Sequence, residues 1–186
     1  MSAQPVRRLR WVVLGCLAAA AVFEVPYINW RPVVAPIDAR PLLIRKDAKG
    51  DGRFQSPRSG HRRHHGVDLV ARLDSPVRAI RSGTVVAVGI HQGLGRFVEL
   101  DHGGALRSLY AHLNEVNVEP GRRVRQGERI GTVGKTGNAR HAWITPHLHL
   151  EVLRDGEPVD PHTLGLAMVG PANSWLESST DASGGE

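Results

Sequence analysis

Between Pro76 and Gly137 the chain keeps turning before a helix has room to form. Pro76-Val77-Arg78-Ala79-Ile80 and Gly83-Thr84-Val85-Val86-Ala87-Val88 are short β-branched runs broken by glycine. Arg96-Phe97-Val98-Glu99-Leu100-Asp101 alternates, and a His102-Gly103-Gly104 turn leads into Leu106-Arg107-Ser108-Leu109-Tyr110-Ala111. Alternation with a period of two marks a strand, whereas an amphipathic helix repeats its apolar residues every three or four places. Glycines at 121, 127, 131, 134 and 137 then punctuate Val124, Ile130 and Val133 at intervals too short for helices. Strands spaced this closely are joined by tight turns and pair antiparallel. The expected fold is all-β or β-rich, a curved antiparallel sheet or sandwich with no helix longer than two turns.

The 186 residues allow one domain with a real core and short appendages. Residues 1–23 read as a targeting segment, with Arg7, Arg8 and Arg10 ahead of an apolar run from Trp11 to Phe23 and small residues at Ala18-Ala19-Ala20-Ala21. Thirteen residues at about 1.5 Å each fall short of the roughly 30 Å hydrocarbon core, so a cleaved signal peptide is favoured over an N-terminal membrane anchor. Either one places the domain outside the cytoplasm, periplasmic, secreted or anchored at the inner membrane. Val13-Leu14-Gly15-Cys16 faintly resembles a lipoprotein box, but most of the apolar stretch follows the cysteine rather than preceding it. Residues 24–40, with prolines at 26, 32 and 36, read as an extended linker packed on or leading to the domain. The domain itself is expected over 41–168, and 169–186, rich in Ser, Gly and acid, as a disordered tail.

A net charge of +6, carried by 21 Arg and 3 Lys, points to an anionic partner. No zinc-finger spacing, helical basic stripe or aromatic platform accompanies it, which argues against nucleic acid. Cys16 is the one cysteine, so neither a disulfide framework nor a thiolate-rich metal site is available. Histidine carries the chemistry instead. His64 and Asp68, then His112, then His147 and His149 span 86 positions. A zinc ion that does chemistry needs about three protein ligands and one open position for water. Two imidazoles and a carboxylate fill that need, and two imidazoles remain to handle protons.

In a strand, His147, His149 and Glu151 share one face while Leu148 and Leu150 point into the core. Which of the two histidines binds metal is open on this reading. Gly66 lets the backbone bend or approach closely between His64 and Asp68. A period of two leaves His65 on the opposite face, although His61 or His65 as ligand is the local alternative. His112 follows Tyr110 near a strand end and is a candidate to orient the attacking water or stabilise the oxyanion. Standing alone, it would read as a histidine capping a turn.

The segments His64-x-Gly66-x-Asp68, Tyr110-Ala111-His112-Leu113 and His147-Leu148-His149-Leu150-Glu151 resemble those of the lysostaphin/LytM-type zinc peptidases, the M23 family of peptidoglycan endopeptidases. The glycine-rich stretch from Gly121 to Gly137 is similar too, and the likeness covers roughly residues 50–161, ending at Val159-Asp160-Pro161. The resemblance implies one Zn2+ per chain on His64, Asp68 and His149, with His112 and His147 as catalytic histidines. It also implies a LytM-like antiparallel sheet of barrel-sandwich-hybrid type, with a substrate groove between loops. The substrate it implies is peptidoglycan, cut at peptide bonds of its stems or crosslinks. Arg58, Arg62, Arg63 and Tyr110 are the candidate substrate contacts.

Ala139 to Thr145, with His141 and Trp143, is longer than the short link usual in that family and is expected to border the groove. Two other function classes are weighed. A non-catalytic peptidoglycan-binding module, or an activator of another cell-wall hydrolase, would typically lack some of the five metal and catalytic positions, all of which are intact here. A swinging-arm carrier would need Lys135 in Gly134-Lys135-Thr136 as its modified lysine and would leave the histidines without a role.

Overall fold

A computed structural model describes Asn29, residues 31–48 and residues 50–170. The proposed targeting segment, part of the proline-rich stretch and residues 171–186 lie outside the described residues. Three short strands come first: β1 (Leu42–Leu43), β2 (Lys46–Asp47) and β3 (Gly50–Asp51). The main body follows with β4 (Gly66–Val70), β5 (Pro76–Arg78), β6 (Gly83–His91), β7 (Gly95–Asp101) and β8 (Leu106–Val116). It closes with β9 (Arg123–Val124), β10 (Arg129–Val133), β11 (His147–Arg154), β12 (Glu157–Val159) and β13 (Met168–Val169). Among the described residues the only helical pieces are 3-10 turns at Gly137–Arg140 and Pro161–Leu164. None is long and apolar enough to cross a membrane.

Nine strands form one sheet, and every pairing within it is antiparallel. β11 lies between β8 on one edge and β4 on the other, with β12 continuing the β4 edge. Its alternation is the expected one: Leu148, Leu150 and Val152 are fully buried in the core beside Leu69, Leu100 and Ile130. β8 has three partners along its length, β7, β11 and β10, so the sheet folds over on itself there. That strand runs to Val116, past the Ala111 expected from sequence.

Residues 31–40 are packed on the domain. Val33 and Ile37 are buried in its core, Val34 N–H donates to Ile80 O, and Arg78 N–H donates to Pro36 O. At the other end Val169 is not tail: β13 pairs in parallel with β1, matching Leu42 to Met168 and Leu43 to Val169. The two ends of the described chain are thus joined beside the main sheet.

Candidate metal centre and active site

β4 and β11 pair with Asp68 directly opposite His149. Residues facing each other in an antiparallel pair have Cβ atoms about 5 Å apart, so a carboxylate and an imidazole there can reach one point. His64, just before β4, completes the group. His64 Nε2, Asp68 Oδ1 and His149 Nδ1 stand 3.1, 3.2 and 2.8 Å from one another. Ligand atoms held tetrahedrally about 2.0–2.2 Å from zinc are roughly 3.3–3.5 Å apart, so a small expansion admits the ion. All three side chains are buried.

The remaining atoms of these side chains are held by their surroundings. His64 Nδ1 lies 2.9 Å from Arg53 O. A carbonyl oxygen can only accept, so Nδ1 carries the proton and the Nε2 lone pair faces the centre. His149 is turned the other way: its Nε2–H donates to Glu151 Oε1 at 2.8 Å, which leaves Nδ1 inward. Asp68 offers Oδ1 to the imidazoles while Oδ2 accepts from Arg45 at 2.9 Å and Arg58 at 3.4 Å. Burial pulls the pKa of His149 down, yet its bonds to Asp68 and Glu151 outweigh that and raise it to about 9. Burial pushes Asp68 up, but His149 and His64 hold its carboxyl well below the ordinary carboxylate range. A centre that favours a proton between a nitrogen and a carboxylate is one that a divalent cation can take over.

His112 and His147 stand across from this group, their ring centroids 4.9 Å apart. His147 Nδ1–H donates to Thr145 O at 2.6 Å, and His112 Nδ1–H donates to Thr136 O at 3.0 Å. Both rings therefore present a bare Nε2. Burial, reinforced by the charges of His147 and His149, pushes the pKa of His112 down to about 3. Burial lowers that of His147 as well. His147 Nε2 remains 3.9 Å from Asp68 Oδ1 while His149 Nδ1 lies at 2.8 Å, so within the His-x-His pair it is His149 that joins the group able to hold a metal.

His112 reaches this position through a bulge. Across from it, β7 advances two residues, Arg96 to Val98, while β8 advances three, Leu113 back to Tyr110. The extra residue puts His112 at φ +63° and re-aims its side chain. Two turns clamp it: its N–H donates to Leu94 O, and Thr136 O takes its ring N–H. Those turns touch at Gly95 (φ +67°) and Gly137 (φ +61°), where a Cβ on either would collide with the other's backbone.

Together these residues floor a cleft of about 480 Å3 walled by Arg62, Arg63, Leu94, Ala139 and Ile144. The 139–145 loop therefore does border it, and His141 stacks on the exposed Trp143 ring at 4.9 Å. Of the candidate substrate contacts, Arg62 and Arg63 line the cleft, and their guanidinium groups donate to the backbone carbonyls of Ser59 and Gln55. Arg58 lines it too but turns inward, to Asp51 O, Ser56 Oγ and Asp68. Tyr110 is a correction. It is fully buried on the core side of the bulge, and its hydroxyl accepts from Ile80 N–H and pairs with Ser108 Oγ, so it meets no substrate. His61 and His65 are exposed and take no part in the metal group. Sequence reasoning missed Arg45, whose burial only the folded chain reveals. It noticed Glu151 on the right face without giving it a role.

The description of peptidase family M23 matches residues 62–161, more than half of the chain, and the protein belongs to that family. Among its relatives, the DD-carboxypeptidase/endopeptidase Mpg of Neisseria meningitidis serogroup B is 39% identical over 56% of this chain and 23% of its own length. The peptidoglycan DD-endopeptidase ShyA of Vibrio cholerae is 33% identical over 57% of this chain and 24% of its own. The chain thus spans about a quarter of the length of these relatives. A zinc-containing peptidase from Vibrio cholerae superposes with a TM-score of 0.56 and 27% identity, covering 72% of this chain and 39% of that one.

Proposed function

We propose that this protein is an extracytoplasmic, zinc-dependent endopeptidase that hydrolyses peptide bonds in peptidoglycan stems or crosslinks. The observation that carries it is the convergence of His64 Nε2, Asp68 Oδ1 and His149 Nδ1 at the floor of an open cleft, with two neutral imidazoles facing them. Export is supported by the basic and apolar residues of 1–23, and the substrate class by the endopeptidase relatives.

Zinc in such a site polarises the scissile carbonyl and makes water nucleophilic near neutral pH. The chain's own residues do the rest. The bare Nε2 of His112 or His147 accepts a proton from water as its oxygen bonds to the carbonyl carbon. The N–H so formed donates to the developing oxyanion, then passes its proton to the amine as the carbon–nitrogen bond breaks. Thr136 O and Thr145 O hold the two rings in the tautomer this needs. Arg62 and Arg63, which pair with no carboxylate among the described residues, are placed to hold the free carboxylates of a peptide stem.

The test is digestion of purified sacculi with zinc-loaded protein, read by mass spectrometry of released muropeptides. New peptide-cleaved muropeptides are expected from the wild type and none from Asp68→Ala. Release that appears only when a separate amidase is added would instead make the protein an activator.

A further inference from the structure

Arg45 is an arginine with a buried side chain, and it belongs to the segment before the family-matched residues. One terminal nitrogen donates to Asp68 Oδ2 at 2.9 Å, the other to Asp47 Oδ1 at 2.6 Å. The second oxygen of Asp47 accepts the Thr145 N–H at 3.1 Å. Thr145 O in turn accepts the His147 Nδ1–H at 2.6 Å. The chain of contacts is continuous. It leads from a metal-ligand carboxylate, through two residues of the β2 hairpin, to the end of the 139–145 loop and a catalytic ring. The hairpin is itself fixed to β4, since Arg45 N–H donates to Asp68 O and Asp68 N–H donates to Gly52 O.

We infer that Arg45 and Asp47 are positioning residues, which set Asp68 and His147 relative to one another from outside the segment that defines the family. Each does a separate task. Arg45 occupies Oδ2 of Asp68, so that Oδ1 alone turns to the imidazole nitrogens. Asp47 holds the Thr145 peptide, and the carbonyl of that residue fixes the His147 tautomer and ring plane. Groups behind a metal centre act in this way, by orienting those that touch the metal or substrate.

This inference rests on the proposed reading of the site, and its test is chosen to stand apart from that reading. In full-length, zinc-loaded protein, Asp47→Ala should leave zinc affinity, measured by competition with a chelator, within about threefold of wild type. The imidazole 15N shifts of His147 should move away from the Nδ1–H pattern, and kcat on sacculi should fall about tenfold with KM unchanged. Asp47→Asn, whose carbonyl oxygen still accepts from Thr145, should restore the His147 shifts and most of the rate. Arg45→Met should weaken zinc about tenfold, and Arg45→Lys less. Wild-type 15N shifts in Asp47→Ala, or wild-type zinc affinity in Arg45→Met, overturn the inference. If wild type itself releases no muropeptides, the endopeptidase reading fails, while the 15N and zinc measurements still decide the positioning roles.

Discussion

Of the histidines that line the cleft, His64, His112, His147 and His149 are separated by the partner of the nitrogen that faces away. His64, His112 and His147 each give Nδ1–H to a backbone carbonyl, whereas His149 gives Nε2–H to Glu151. Alongside the family resemblance, which points to His64 rather than His61 or His65, spacing brings His147 and His149 to one face of a strand. It could not separate their roles, which depend on Asp68 lying opposite His149. His112→Ala should keep stoichiometric zinc and lose turnover by roughly 10²–10⁴, the usual share of a general acid–base group. Metal analysis beside a sacculus assay checks both halves. Glu151→Ala should weaken zinc about tenfold or more in chelator competition, since His149 loses the group that fixes its tautomer. Tyr110→Phe should cost about 1–3 kcal/mol of stability, because Ile80 N–H and Ser108 Oγ lose a partner in the core. Chemical denaturation would show that loss, and zinc binding by the folded fraction should be unchanged.

Among the elements, the β4–β11 register and the β8 bulge make the site. Sliding β4 by one residue against β11 would turn Asp68 into the core and Leu69 to the cleft. Gly66 protects that register, since it faces Glu151 and a Cβ there would collide with the Leu150 carbonyl oxygen. The expectation from sequence that this glycine permits close backbone approach matches what the strands do. Gly66→Ala should therefore cost about 1–3 kcal/mol and weaken zinc together, as thermal melts with and without zinc would reveal. The bulge was less legible. A strict period of two puts Tyr110 and His112 on the same face, whereas the bulge leaves Tyr110 in the core and turns His112 to the cleft. An inserted residue leaves no mark in the hydrophobic pattern until the facing strand is known.

For the whole molecule, the family-matched segment is less than the folded unit. Val33, Ile37 and Leu42 are buried in the core, yet all three precede residue 62. The prolines and low charge around Val33 and Ile37 read as a linker, because local pattern reports strands and helices and is silent on irregular chain packed by its side chains. Burying a Val, Leu or Ile contributes about 1.5–3 kcal/mol, so losing three is comparable with the roughly 5–15 kcal/mol that keeps a domain folded. A fragment of residues 62–161 should lack a cooperative melt by circular dichroism, and one of 29–170 should have it.

The most direct measurement is anomalous diffraction at the zinc absorption edge from crystals of the zinc-loaded protein. A single peak bonded by His64 Nε2, Asp68 Oδ1 and His149 Nδ1, with His112 and His147 unbound beside it, is the predicted result. A peak elsewhere, or one held by His112 or His147 in place of those three, would contradict it.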